Sequence, residues 1–189
     1  MKGCIQLSHR PNINNTVNMV PVDHVARVVV SSTLHPPVTP LGVAQVTGTP
    51  RLRFNEFLGC LETWGYPIKQ VDYVPWKASL ERYVAAGVGD VHALLPLYHF
   101  VTADLPSSTK APELDDANTK KALAADVHES GRPLTETAVS KELIGKYLAY
   151  LVKIGFLPPP THSEKPLPEV HISSEQLDAM KDIGGRGGV

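Results

Sequence analysis

The chain has 189 residues, 42% of them apolar, and its 18 basic and 19 acidic residues give a formal net charge of −1. This apolar content is sufficient for a buried core, whereas the charge balance gives little support to a nucleic-acid-binding or membrane-surface protein. The sequence contains no run of about 18 apolar residues and no signal-peptide pattern, so we expect a cytoplasmic protein without a membrane span.

The N-terminal part predicts a helix end, a polar loop, and then a strand followed by a helix. Lys2–Leu7 has the pattern of a helix already in progress, and residues 8–18 form a loop rich in asparagine. A short buried strand is expected over residues 19–22. Asp23 is a suitable N-cap for the helix that follows, which should stop at residues 35–37. The predicted inward face of this helix consists of Val25, Val28, Val29 and Ser32.

The central part predicts short strands alternating with helices. Residues 43–47 favour a buried strand ended by Gly48, and residues 68–74 favour another strand. Pro75 is suited to the first turn of the next helix, which ends at Gly87. An earlier helix ending at Gly65 is predicted from apolar residues spaced three or four apart, namely Phe54, Phe57, Leu58 and Leu61. The stripe expected on the later helix is Trp76, Leu80, Tyr83 and Val84.

The remaining sequence predicts further helices and a flexible end. Helices are expected over residues 91–101 behind an Asp90 cap, over 113–126 with acids in the first turn, and over 137–156, with a loop at 106–112. The last of these helices has a broad apolar face made of Leu143, Ile144, Tyr147, Leu148, Leu151 and Val152. Residues 161–189 are polar and end in glycines, so we predict a mostly flexible tail with one short helix at 174–181.

Several long blocks of the chain resemble a known family. The V-P-V-D of residues 20–23, with a helix behind it, resembles a segment of extended short-chain dehydrogenase/reductase domains. The surrounding blocks KGCIQLSHRPNINNTVNMVPVDHVARVVV, VAQVTGTPRLRFNEFLGCLETWGY and IGKYLAYLVKIGFLPPP, in that order, are similar to the end of the thioester reductase domain of fungal L-2-aminoadipate reductases. The resemblance covers residues 1–160.

The resemblance implies an α/β fold, namely the C-terminal part of a Rossmann-like extended short-chain reductase domain. This part would have few short parallel strands and a mostly helical substrate-side subdomain, with residues 161–189 as a tail. The family's intact domain uses NADPH to reduce an aminoadipyl thioester, held on the phosphopantetheine arm of a carrier protein, to the semialdehyde in lysine biosynthesis. By resemblance, the residues nearest that arm would be Arg10, Asn12, Asn14 and Asn15.

The residues that bind and activate NADPH in the family have no counterpart in this sequence. A Rossmann site needs a glycine-rich turn between a strand and a helix, and no glycine cluster here has that setting. Tyr73 and Lys77 have the Y-x-x-x-K spacing of a reductase catalytic pair, but Pro75 is expected to keep them off one continuous helix. We therefore predict no catalytic or cofactor-binding residues and no NADPH binding by this chain alone.

Metal binding has no support in the sequence. His92 and His99 would share a helix face if residues 91–101 were helical, but no third ligand lies at zinc spacing. Cys4 and Cys60 are far apart and have no C-x-x-C partner, so both are expected to be buried thiols. We predict that the histidines are surface or hydrogen-bonded core residues.

Three hypotheses follow for the chain as a whole. It is a fragment of an NADPH-dependent thioester reductase whose partner is the upstream reductase half, or it is a non-catalytic truncated paralogue that docks to a carrier protein or to an intact reductase. The third is that the start codon is misplaced and the reading frame continues upstream.

Overall fold

The computed structural model describes residues 1–38, 42–87, 91–108, 112–134, 136–162 and 165–178. Contacts between Cα atoms divide these residues into two compact units. The first unit is drawn from Met1–Asn12, Phe57–Ala103 and Ser140–Val189, and the second from Ile13–Glu56 and Asp104–Val139.

Helices dominate the structure, and the strands are two or three residues long. The main helices are α1 (Lys2–Leu7), α2 (Val22–Leu34), α3 (Phe54–Thr63), α4 (Tyr73–Ala86), α5 (Tyr98–Ala103), α6 (Leu105–Ser108), α7 (Ala117–Ser130) and α8 (Lys141–Lys153). The strands are β1 (His9–Pro11), β2 (Thr16–Val17), β3 (Leu52–Arg53) and β4 (Lys69–Val71). Mixed α/β architecture with short parallel strands, as the sequence predicted, is therefore confirmed.

In the first unit, β1 and β4 pair in parallel, with His9 opposite Lys69 and Pro11 opposite Val71. The core beside this pair contains the largest fully buried side chains of the described residues, which are Trp64, Trp76, Leu61, Leu80, Ile144 and Leu148. Ile144 and Leu148 lie four residues apart on α8 and so share one helix face. The first turn of α8 is held by Ser140, whose hydroxyl accepts from the Leu143 N–H at 3.2 Å.

In the second unit, α2 and α7 pack against each other, and β2 and β3 form an antiparallel pair. Arg27 on α2 joins the two helices, because its Nη2 and Nε donate to Oδ2 of Asp126 on α7 at 2.6 and 3.0 Å. The same guanidinium donates to the carbonyl oxygens of Arg132 and Pro133, just beyond the end of α7. Arg27 thus binds both a side chain on α7 and the main chain just beyond its C-terminal end.

Two predicted strands are wrong. Residues 43–47 have no strand partner; instead their carbonyl oxygens accept from side chains, with Asn118 Nδ2 bonding to Val43 at 2.9 Å and Thr119 Oγ1 to Gln45 at 2.7 Å. These bonds satisfy the backbone where a neighbouring strand would otherwise be needed. Residues 19–21 are also outside any strand, and Val22 opens α2 with its side chain 79% exposed.

Several predicted helices begin, end or face differently in the structure. The face of α2 is rotated, because the helix buries His24, Val28 and Ser31 while Val29 is exposed. α7 begins at Ala117, after the acids that were expected in its first turn, and α8 covers only the middle of residues 137–156. Residues 8–18, predicted as a loop, contain β1 and β2, and α6 extends into the loop that was predicted over residues 106–112.

The region predicted as a helix over residues 91–101 has a different structure. A 3₁₀ turn covers Leu95–Leu97 and α5 follows it, while the expected Asp90 cap lies outside the described residues. Pro96 sits within the turn, where the absence of its N–H costs little. The ends of α1 and α4 agree with the sequence, since α1 ends at Leu7 and Gly87 caps α4 with φ of 57°.

Part of residues 161–189 is hydrogen-bonded to other segments of the first unit, to which it belongs. The His162 N–H donates to the Gly65 carbonyl at 3.1 Å, and Lys153 Nζ donates to the Val170 carbonyl at 2.6 Å. Residues 174–178 are helical, within the short helix predicted at 174–181, and Ser173 and Gln176 form a reciprocal capping box. The rest of that predicted helix lies outside the described residues.

Within the described part of the chain, no helix is both long enough and apolar enough to cross a membrane.

Candidate functional site

Arg10, the first residue predicted to lie near the substrate, is a buried member of β1. Its Nε and Nη2 donate to the two carboxylate oxygens of Glu62 at 3.2 and 3.1 Å, a two-pronged ion pair. Only 7% of Arg10 is exposed, and its Nη1 is buried without a hydrogen-bond partner. The N–H groups of Nη1 are therefore unused, although a buried guanidinium is costly unless its donors are satisfied.

Asn12 lies immediately after β1 with an exposed side chain. Its Nδ2 donates to Oδ1 of Asp72 at 3.2 Å, and its main-chain N–H extends the parallel pairing by donating to the Val71 carbonyl at 2.7 Å. Asn12 and Arg10 thus both belong to the first unit, and each is bonded to a different acidic residue.

Asn14 and Asn15 belong to the second unit. Asn14 is exposed, and its Oδ1 accepts from Nη1 of Arg53 at 3.1 Å. Asn15 is half-buried and is held through its side chain and its main chain. Its side-chain Nδ2 donates to the Pro106 carbonyl, and its main-chain carbonyl accepts from the Phe54 N–H at 2.8 Å. The structure therefore holds the two asparagines in place through separate contacts.

The Y-x-x-x-K pair requires a correction. Tyr73 and Lys77 lie on one uninterrupted helix, because α4 begins at Tyr73 and Pro75 falls in its first turn, where the backbone N–H groups have no helical partner. The expectation that Pro75 separates them was wrong. Their contacts nevertheless differ from those of a proton-transfer pair, since the Tyr73 hydroxyl donates to the Val101 carbonyl at 2.8 Å and Lys77 Nζ lies 3.9 Å from Glu81.

His92 is a hydrogen-bonded core residue. One ring nitrogen, Nε2, lies 3.2 Å from the Gly3 carbonyl, and Nδ1 accepts from the Leu94 N–H. Burial lowers the pKa of His92, so that the neutral imidazole is favoured. Cys4 and Cys60 are buried thiols, as predicted. Among the described residues, no group of three or more His, Cys, Asp or Glu side chains is placed to hold a metal ion.

A cavity of about 300 Å³ lies within the second unit, beside the start of α7. Its wall combines threonines, small apolar side chains and three ionisable residues, which are His24, Thr47, Thr49, Asp116, Thr119, Lys120, Leu123, Ala124, Leu134 and Thr137. α2 supplies His24, α7 supplies the residues from 119 to 124, and the extended segment before β3 supplies the first two threonines. This volume is at the lower end of the range for small-molecule sites.

The charged groups of the cavity are Asp116 and Lys120. Lys120 Nζ lies 2.9 Å from Asp116 Oδ1, and Thr47 Oγ1 donates to Asp116 Oδ2 at 2.8 Å. The bonds from Lys120 and Thr47 lower the pKa of Asp116, so its carboxylate is ionised at neutral pH.

His24 contributes an uncharged polar group to the same wall. It is 2% exposed, and burial lowers its pKa, helped by Arg27 and opposed by Asp23. At neutral pH the cavity thus has one anion, one largely exposed cation and a neutral imidazole.

Sequence reasoning missed this cavity. Asp116 falls among the acids expected in the first turn of a helix over 113–126, and Thr47 falls at the end of the strand predicted over residues 43–47. The detectable signal was the spacing of Asp116 and Lys120, four residues apart, which places both on one side of a helix start. The partner threonines come from distant positions, and no local pattern identifies them.

Comparison with known proteins gives a consistent assignment. No protein-family model matches the chain. The chain is 59% identical over 194 aligned residues to the L-2-aminoadipate reductase large subunit of Penicillium chrysogenum and 46% identical over 191 to the L-2-aminoadipate reductase of Saccharomyces cerevisiae. Both alignments include all of this chain but only 14% of the relative, so the chain spans a small part of the curated relatives' length.

A solved structure identifies the fold. The terminal R domain from the myxalamid PKS-NRPS biosynthetic pathway superposes with a TM-score of 0.64 at 24% identity, over 85% of this chain and 39% of that chain. The alignment thus includes most of this chain and a minor part of the R domain. Together, these comparisons show that the chain is similar over its whole length to one segment of fungal L-2-aminoadipate reductases and has the fold of part of the terminal R domain.

Proposed function

We propose that the chain is the C-terminal portion of an NADPH-dependent thioester reductase domain that reduces a carrier-bound aminoadipyl thioester to the semialdehyde. The observation that carries this proposal is the 59% identity over the whole chain to an L-2-aminoadipate reductase large subunit. The likeness to the R-domain fold supports it, because that likeness extends over 85% of this chain. The activity itself requires the nucleotide loop and the catalytic pair, for which this sequence has no counterpart.

The contribution of the chain to that activity would be the substrate side of the domain. Asn12 and Asn14 have exposed side chains that a phosphopantetheine arm can approach, and each already uses its amide in one polar contact. Arg10 is buried, so its expected role is to position the loop through Glu62 rather than to touch the arm. Asn15 fixes the same loop through Pro106.

The decisive experiment replaces the matching segment of the Saccharomyces cerevisiae reductase with this chain. We expect the chimera to support growth without lysine and, when purified, to oxidise NADPH in the presence of an aminoadipyl-loaded carrier domain. A matched chimera carrying Asn12→Ala and Asn14→Ala should keep its kcat and show a raised KM for the loaded carrier. A chimera that is folded and binds NADPH but does not reduce the thioester would contradict the proposal.

The chain alone should not act as the enzyme. Fluorescence titration of the purified chain with NADPH is expected to show no binding in the micromolar range, whereas the chimera above should bind. Micromolar binding by the isolated chain would overturn this part of the proposal.

A second candidate function is a non-catalytic interaction module for a carrier protein or an intact reductase. The observation in its favour is the exposed apolar surface of α2, where Val22, Val29, Val30 and Leu34 are each more than half exposed. Sedimentation separates the two cases: a stable monomer that binds a phosphopantetheinylated carrier domain fits the module, whereas self-association of the isolated chain fits a fragment that has lost its partner half.

A further inference from the structure

We propose that the cavity of the second unit binds the amino acid end of the acyl group, the ammonium and carboxylate of its α-carbon pairing with Asp116 and Lys120. This inference rests on the proposed function, because it specifies how an aminoadipyl group would be distinguished from a simple acyl group. None of the residues near the arm discussed above lines this cavity.

Asp116 is suited to bind an ammonium group because its position is fixed. Oδ2 is held by the Thr47 hydroxyl and the residue forms the N-cap position of α7, so the carboxylate does not have to be ordered when a ligand arrives. Its other oxygen, Oδ1, meets Lys120. A ligand ammonium can take the place of Lys120 at this oxygen without leaving a charge unpaired.

Lys120 is suited to move and to bind the ligand carboxylate. Its side chain is 68% exposed, so solvent screens its attraction to Asp116 and the ion pair contributes little to stability. The cost of separating it from Asp116 is therefore small. Once the Lys120 ammonium has been displaced from Asp116, it can pair with the α-carboxylate of the same ligand. A zwitterionic ligand therefore satisfies both residues at once.

The rest of the wall fits an uncharged chain. Leu123, Ala124 and Leu134 supply apolar surface, and His24 is neutral because it is buried. The hydroxyl protons of Thr119 and Thr137 are donated to the carbonyls of Gln45 and Thr49, each within 2.8 Å. The wall therefore favours the methylene groups that separate the amino acid end of an aminoadipyl group from its thioester.

The first test measures binding of small probes to the purified chain by NMR titration. The 6-methyl ester of L-2-aminoadipate keeps the zwitterion and replaces the thioester by a neutral ester, whereas monomethyl adipate lacks the ammonium. We expect the former to shift resonances of α7 and to bind at least about tenfold more tightly, the effect of about 1.4 kcal/mol. Equal binding of the two probes, or no binding of either, would overturn the inference.

Variants separate binding from the structural role of the ion pair. Asp116→Asn keeps an oxygen for Thr47 but loses the charge, and Lys120→Gln removes the cation. Each variant should lower the affinity for the zwitterionic probe at least about tenfold, with little change in melting temperature. Lys121→Gln is the matched control, since the neighbouring exposed lysine lines a different cavity. Unchanged probe affinity in Asp116→Asn would show that the pair serves only the helix.

The same variants in the yeast chimera distinguish this inference from the proposed function. An active chimera in which Asp116→Asn raises KM for the aminoadipyl carrier, with kcat retained, supports both. An active chimera with unchanged KM overturns the inference and leaves the function standing. An inactive chimera, combined with specific probe binding by the chain, overturns the function and leaves the cavity as an amino acid site.

Discussion

The indole ring of Trp64 occupies the space beside Gly145 where any other residue would place its side chain. A Cβ at position 145 would lie 2.5 Å from Cε2 and 2.9 Å from Cη2 of the ring, and closer still to Cζ2. The ring is fully buried, and its Nε1 donates to the Lys141 carbonyl at 3.1 Å, so it is fixed on the same helix. The close approach of α8 to Trp64 thus depends on a glycine.

Gly145→Ala should destabilise the first unit, because either the ring or α8 must move. Overpacking of a filled core costs about 1–3 kcal/mol, which outweighs the gain of up to about 1 kcal/mol from replacing a helical glycine by alanine. Urea denaturation measures the difference. Gly59→Ala in α3 is the matched control: its Cβ would lie 3.5 Å from Arg10 Nη2, an ordinary contact, so it should be neutral or stabilising. Equal effects of the two substitutions would contradict the packing argument.

Arg27→Met should lower the free energy of unfolding of the second unit by about 2–4 kcal/mol, because it leaves the Asp126 carboxylate poorly solvated and unpaired. Both side chains of this ion pair are only 14% exposed, and two carbonyls beyond α7 lose a donor as well. Chemical denaturation tests the value. Lys77→Met breaks an exposed pair of 3.9 Å on α4 and should change stability by less than about 1 kcal/mol.

The protein should lose stability as the pH falls from about 7.5 to 5.5. His24 and His92 both have a pKa lowered by burial, so the unfolded chain, with histidine pKa near 6.5, binds protons that the folded chain resists. Their contribution to stability is therefore complete above that value and is lost as the pH falls below it. The pKa of Asp116 is also lowered, but protonation of this carboxylate reduces stability only near and below about pH 4.

Urea denaturation at several pH values checks this dependence. His24→Gln and His92→Gln should each flatten the decline, whereas the exposed His171→Gln should leave its slope unchanged. A decline that is identical in all three variants would assign the pH effect to other groups.

Tyr73→Phe should cost about 1 kcal/mol of stability, because it removes the hydrogen bond to the Val101 carbonyl. In the yeast chimera it should leave the rate of NADPH-dependent thioester reduction unchanged. If the hydroxyl were instead the proton donor, the rate would fall by about 100-fold or more. Steady-state kinetics of the chimera therefore decide between a packing role and a catalytic role for the Y-x-x-x-K pair.

The elements that the sequence predicted well are those whose signals are local. The end of α4 at Gly87 follows from a glycine with positive φ, and the apolar spacing in α3 and α8 identifies the core residues Leu58, Leu61 and Leu148. The fold class came from the family resemblance rather than from any single pattern.

The errors of the prediction arise where distant residues decide the local structure. Residues 43–47 have strand-like composition, but side chains of α7 bind their carbonyls, and that contact is invisible in a local pattern. α2 packs on α7 with His24 and Ser31 beside the predicted Val28, so its buried face is shifted from the predicted one and Val29 is left exposed. The cavity beside Asp116 depends on the same packing and was missed for the same reason.

The pairing of Trp64 with α8 constrains the order in which the first unit is completed during synthesis. β1, Trp64 and β4 are synthesised before α8, so the Trp64 ring is not covered by this helix until residues 141–153 have been translated. Because contacts between distant parts of a chain form slowly, the nascent protein passes through a period in which this aromatic surface is open to chaperones.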